Sequence, residues 1–282
     1  MKKKQIAVIV AVVAVIGYLY WLPISKGSTE SAVKKGTGSV ARTERPAANV
    51  TVDMVSTTAK QVIGAGLSAK INDLEGQLKN ATSDADKLSL QKQLAKAWDD
   101  VNQPAPAAFY YMAVARDEST AANWIAAGDH FNDAYRLTQD TTAQPVYDAN
   151  SVEAFQNAMK LSPTSLEAKT GLGIAYVNGG GTPMQGIALL LDVVSKDPNN
   201  RSANLNLGLF SMKSGQFEKA VARFKTVIAQ KPDVEPYFYL AESYKQLGMR
   251  KEAIDAYQKC KEMMPDQAFD QKIDEYIKEL QN

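Results

Sequence analysis

Hydrophobic and polar positions divide the chain into three regimes. The first is an uninterrupted apolar run from Ile6 to Leu22, 17 residues long, with no charge between Lys4 and Lys26. At about 1.5 Å rise per residue, a helix from Gln5 to Ile24 reaches about 30 Å, the thickness of a bilayer's hydrocarbon core. Tyr18, Tyr20 and Trp21 gather at its far end, where interfacial aromatics belong. Residues 1–25 are expected to form a signal-anchor with a single transmembrane helix. A cleaved leader is the rival reading. The run is longer than a leader's usual apolar core, no A-x-A site comes after it, and no cysteine is placed to make a lipoprotein.

The second regime, residues 26–54, is rich in Ser, Thr, Gly and Ala and has no apolar periodicity, so a flexible linker is expected. Lys26, Lys34, Lys35, Arg42 and Arg45 in it could touch anionic headgroups, although a soluble spacer is the plainer reading. The third regime begins near residue 55, where apolar spacing turns helical. Within 55–87 an N-terminal helix is predicted over Thr57 to Asn80, with Ile71, Leu74 and Leu78 as one stripe. That stripe suits packing on the downstream helices or pairing with a second copy as a short coiled coil.

From residue 88 the pattern repeats at 33–35 residues. Leu207, Gly208, Ala220, Phe224, Val227 and Pro232 are succeeded by Leu240, Ala241, Ala253, Tyr257, Cys260 and Pro265, with Gly208 to Ala241, Ala220 to Ala253 and Pro232 to Pro265 each 33 apart. Small residues at such positions let paired helices approach, the aromatic packs on the next pair, and the proline bounds the turn. Upstream, Leu172, Gly173, Tyr176, Gly186, Leu190, Val193 and Pro198 keep the same order, with one extra residue in the Asn178-Gly179-Gly180-Gly181 loop. Trp124, Ala127, Gly128 and Phe131 with Ser151, Phe155, Ala158 and Pro163 make another unit, lengthened by eleven residues around Thr138 to Ala149. Gln91, Leu94, Ala95 and Trp98 with Ala107, Tyr111 and Val114 make the most divergent one. At these residues the chain resembles the tetratricopeptide repeat (TPR) family, whose pattern is W-x2-L-G-x2-Y and then A, F/Y, A and P. The resemblance covers 88–267 as about five repeats: 88–120, 121–165, 166–200, 201–233 and 234–267. It implies an all-α fold, a right-handed superhelical solenoid of helix pairs. Residues 268–282 are expected to cap it, with Phe269, Ile273, Tyr276, Ile277 and Leu280 on one side of a helix.

Charge adds topology. The chain's net charge is +1, but residues 1–50 hold eight basic and two acidic residues, while 51–282 carry a net −5. No nucleic-acid-like basic excess marks the repeats. Three lysines and the α-amino group abut the span on one side, against Lys26, Lys34, Lys35 and Arg42 on the other. The expected orientation keeps the N-terminus cytoplasmic and the repeats extracytoplasmic, periplasmic if the cell is bacterial.

Chemistry is limited by composition. One cysteine, Cys260, excludes an intrachain disulfide or a multi-cysteine zinc site, and one histidine, His130, excludes a two-histidine metal site. No enzyme, cofactor or metal is expected. Gly64-Ala65-Gly66-Leu67-Ser68-Ala69 matches a dinucleotide fingerprint loosely, but no strand precedes it. Asn178-Gly179-Gly180-Gly181-Thr182 is an anion nest or, more simply, a lengthened turn. Cys260 is expected to be a buried thiol, and Asp99-Asp100 and Asp73/Glu75 solvated or helix-end charges. Asn49-Val50-Thr51, Asn80-Ala81-Thr82 and Asn200-Arg201-Ser202 are glycosylation sequons at about the chance rate.

The resemblance implies a concave groove lined by first helices. By offset its partner-binding residues are Ile125, Asp129, Asn132, Ile174, Leu205, Leu209, Met212, Phe238, Tyr239 and Glu242. Glu167, Glu235 and Tyr239 stand where some family members carry a basic clamp for a C-terminal carboxylate, so tail capture of that kind is not expected. The implied function is a protein-protein interaction scaffold or assembly adaptor displayed at a membrane, with membrane or envelope proteins as partners and no nucleic acid. The alternative is a self-associating structural protein of the cell envelope, a homo-oligomer held by the 57–80 helix and the membrane span.

Overall fold

The computed structural model describes residues 49–179 and 182–281. The expected membrane helix at 5–24 and the linker up to residue 48 lie outside the described residues. No described helix is long and apolar enough to cross a membrane.

Among the described residues there are thirteen helices and no strand. They are α1 (Val52–Ile63), α2 (Ala65–Asn80), α3 (Asp84–Asp100), α4 (Pro104–Asp117), α5 (Ala121–Leu137), α6 (Gln144–Leu161), α7 (Leu166–Asn178), α8 (Pro183–Lys196), α9 (Arg201–Lys213), α10 (Phe217–Gln230), α11 (Val234–Gln246), α12 (Arg250–Met263) and α13 (Gln267–Gln281). Local sequence explains where they start. First helices of the pairs open on polar caps: Ser83, Thr120, Ser165 and Asn200 each accept the backbone N–H three residues on, and Asp233 accepts that of Val234. Second helices α4, α6 and α8 open on a proline, where the missing N–H is not needed.

The predicted helix over Thr57 to Asn80 is two helices. Gly64 stands between them at φ 78°, ψ 169°, a conformation open essentially to glycine alone. Helix α1 begins at Val52, inside the stretch expected to be linker. Ile71 and Leu74 are buried and Leu78 is half-buried in a cluster with Leu90, Leu94, Trp98 and Tyr110 of α3 and α4. The stripe offered for a coiled coil is thus consumed inside the chain. Glu75 ties the hairpin, accepting Ser56 Oγ at 2.5 Å and pairing with Lys60; it is not a solvated charge.

The chain divides into two compact units, whose described parts are residues 49–214 and 215–281. In the first, each helix packs on the next, and α5 on α7 and α7 on α9 as first-helix neighbours. Its core is a succession of three clusters, across α1–α4, α4–α7 and α7–α9. Phe155 of α6 is fully buried, and its ring lies against Gly128 of α5 and Gly171 of α7. A Cβ on Gly128 would stand 2.7 Å from that ring, and one on Gly171 would overlap it. Gly173 and Gly186 make the same close approach between α7 and α8.

In the second unit α10, α11, α12 and α13 pack in succession. Phe224, Val227, Tyr257 and Cys260 are fully buried. Helix α13 covers the last pair with Phe269, Ile273 and Leu280 buried, and Tyr276 stacks on Tyr257 at 5.6 Å. Gly215 and Gly248 turn the chain at φ 73° and 72°, one repeat length apart.

Candidate functional site

In the first unit the first-helix face is formed by α5, α7 and α9. Side-by-side packing of these helices decides which predicted residues it shows. Ile125 (9% exposed) and Met212 (8%) are buried in the packing. Ile174, Leu205 and Leu209 are half-buried, and each keeps some apolar surface in solvent. Asn132 is half-buried and spoken for. Its Nδ2 donates to the Gly171 carbonyl at 3.2 Å, and its Oδ1 accepts Ser151 Oγ at 2.7 Å, so it laces α5, α6 and α7 together.

Asp129 keeps more than a third of its surface in solvent. Its carboxyl is nonetheless crowded by protein, and with the carboxylates of Glu167 and Asp133 that crowding pushes it up to about 7, while His130 opposes the rise. The solvent at its surface weakens that push. Neither Asp129 nor Glu167 has an ion-pair partner among the described residues. The α5/α7 part of the face thus sets two carboxyl groups, Asp129 and Glu167, on helices that also carry the half-buried Ile174.

In the second unit Phe238 is 2% exposed and Glu242 5%. Phe238 packs on Tyr257 and Tyr276 with ring centroids 5.9 and 6.0 Å away. Glu242 accepts the Tyr257 hydroxyl in a buried hydrogen bond. Burial pushes its carboxyl up, against the pull of Tyr257 and Lys245. Tyr239 is half-buried and stacks on Phe224. Lys245 crosses to Glu279 of α13 at 2.9 Å. Of the ten residues predicted to line a groove, Ile125, Met212, Phe238 and Glu242 are thus interior packing. A side chain at these offsets points toward the adjacent helix before it points toward solvent.

The interlocking pairs have counterparts among known proteins. Residues 237–266, spanning most of α11 and α12, match the tetratricopeptide repeat family. This segment is a tetratricopeptide repeat. A tetratricopeptide repeat protein from Parabacteroides merdae ATCC 43184 shares the fold, with 13% identity, a TM-score of 0.55, and coverage of 84% of this chain and 87% of that one. MamA from Desulfovibrio magneticus RS-1, from residue 41 to its end, aligns at 18% identity over 66% of this chain and 99% of that one, with a TM-score of 0.47. YrrB, described as a TPR protein with an unusual peptide-binding site, aligns at 18% identity over 64% and 88%, with a TM-score of 0.41. No curated protein sequence matches the chain.

Residues with chemical potential are placed structurally by the repeats. His130 Nδ1 lies 2.8 Å from the Ala126 carbonyl and Nε2 3.2 Å from Asp99 Oδ1, with the ring tilted over Tyr111 at 4.3 Å. It ties α5 to α3 and α4 through Asp99, which is exposed in the last turn of α3 and so is also the helix-end charge expected from the sequence. Asp100 pairs with Lys96 along α3. Cys260 is fully buried, and burial pushes its thiol up to about 12, out of reach of thiolate chemistry at neutral pH. Asn200 caps α9, its Oδ1 accepting Ala203 N–H and its Nδ2 donating to Asp197. A polar hollow of about 780 Å³ between α2 and α3, lined by Asn72, Asp73, Gln77 and Gln93, holds none of the predicted groove residues. No group of three or more metal-ligating side chains occurs among the described residues. Sequence reading missed Gly171, Asp148 and the Asn132–Ser151 link. Only Gly171 had a signal, a second glycine two residues before the one the repeat pattern names.

Proposed function

We propose that the chain is a protein-binding scaffold whose partner is a peptide or helix laid on the first-helix face of the α5–α9 region. The observation that carries this reading is that the neighbouring first helices α5, α7 and α9 carry unpaired Asp129 and Glu167 together with the half-buried Ile174, Leu205 and Leu209. Such a face suits a segment that sets a Lys or Arg beside apolar side chains. An anchor at residues 5–24 holds the repeats at a membrane on the extracytoplasmic side. Anchoring raises the effective concentration of the face toward other membrane or envelope proteins. The tetratricopeptide repeat at 237–266 supports a binding rather than a catalytic role.

Pull-down from detergent-solubilised membranes tests this, comparing wild type with Leu209→Asp and with Asp129→Lys/Glu167→Lys. Both variants alter exposed or half-exposed side chains, so folding is expected to survive. Wild type is expected to retain partners that both variants lose. Recovery of the same partners by all three would refute the reading.

Self-association through Ile71, Leu74 and Leu78 is not proposed, because α2 spends that stripe on α3.

A further inference from the structure

Asp148, in the second turn of α6, stands against the C-terminal end of α7, and nothing in the binding face uses it. Its Oδ1 is buried and has no hydrogen-bond partner. The other carboxylate oxygen abuts Gly179, where a Cβ would overlap it. Gly179 has φ −68°, an ordinary helical value, so its glycine supplies space for the carboxylate rather than backbone freedom. The end of α7 is where unsatisfied carbonyls gather and the helix dipole is negative. A carboxylate belongs at the opposite end. The same point is fastened from α5, where the Tyr135 hydroxyl donates to the Asn178 carbonyl at 2.6 Å.

We propose that Asp148 is a protonation-controlled fastener of the α6–α7 seam. Ionised, it presses a charge, one of whose oxygens has no donor, against the carbonyl end of α7 and loosens that end. Protonated, it removes the charge and lets the seam close. Burial pushes this carboxyl up to about 6, and the Gly179 N–H holds the rise in check. No charged side chain among the described residues acts on it; its titratable neighbour is Tyr135, whose hydroxyl burial and Asp148 together push up. A carboxyl whose folded value lies above its unfolded one stabilises the fold when protonated. That contribution is complete below the unfolded value and is lost as pH rises through about 6. The device thus acts in mildly acidic surroundings, and it sits directly behind the helix that carries Glu167 and Ile174.

Hydrogen exchange of the full chain in detergent, corrected for intrinsic rate, tests this at the Ala175–Gly179 amides. In wild type the opening constant there is expected to be about tenfold lower at pH 5 than at pH 7.5. Asp148→Asn is expected to give the low value at both pH values. Gly179→Ala, which crowds the carboxyl out, is expected to abolish the pH dependence as well. A tenfold pH response that persists in Asp148→Asn would overturn the proposal, as would lower protection in that variant than in wild type at pH 7.5. Should either variant not fold, a carbon-detected titration of Asp148 in wild type decides: a midpoint near 6 supports the fastener, and one in the ordinary carboxylate range removes it.

Discussion

One phenyl ring sets the distance between three helices. Phe155 lies on Gly128 and Gly171 with no room for a methyl group at either. Phe155→Ala is expected to cost about 3–5 kcal/mol, since it deletes a fully buried ring and leaves a cavity between facing glycines. Gly171→Ala should cost about 1–3 kcal/mol by overpacking. Chemical denaturation of the two variants checks both. Glu242 predicts the opposite sign. Its folded value is raised, so the ionised form is the one the fold disfavours, and stability declines as pH rises from the unfolded carboxylate range through the raised value. Glu242→Gln should therefore raise stability at neutral pH and flatten that decline, measured as Tm against pH. Phe155 and Gly128 were legible because they fall on the repeat pattern. Glu242 was legible as a position but not as a buried acid, because its burial comes from Tyr257 of α12 and from α13, elements remote in sequence.

At the scale of elements, the N-terminal hairpin shows what periodicity leaves open. Ile71, Leu74 and Leu78 announced a helix with one apolar stripe, and a stripe looks the same whether its partner is a neighbouring helix or another molecule. The structure assigns it to α3. Leu74→Ala should then lower Tm without changing the mass measured by light scattering. A fall in mass would mean that the stripe also joins copies. The break at Gly64 was invisible because apolar spacing runs on through it. There is open space around the missing Cβ, so Gly64→Ala tests backbone strain alone, and about 1–3 kcal/mol is expected by thermal or chemical denaturation. The turns at Gly215 and Gly248 went unread, although the two glycines sit one repeat length apart and take the left-handed conformation that closes so short a connection.

For the molecule as a whole, the all-α array of pairs was legible because each pair states the same packing problem again. The binding face was less so. First helices pack side by side, and that contact joins residues about 40 apart, as Asn132 and Gly171 do. An offset within one helix reveals neither this contact nor the cover of later helices, such as that of Tyr257 and Tyr276 over Phe238, and Ile125, Met212, Phe238 and Glu242 are interior. Stability in such arrays is passed between neighbours rather than shared by one core. Tyr257→Ala should accordingly expose amides across 215–281 while those of α1–α6 keep their protection, read by hydrogen exchange. Loss of protection throughout would show a single cooperative block.

Cys260 supplies a clock for that experiment. Its sulfur is sealed among Val234, Ala256 and the surrounding core, and it is the chain's one thiol. An alkylating reagent therefore has a single address, shut while α11, α12 and α13 remain packed. The rate at which the native protein takes up one label reports how often that door opens, and a second cysteine placed on the surface can carry a fluorophore without interference from the first.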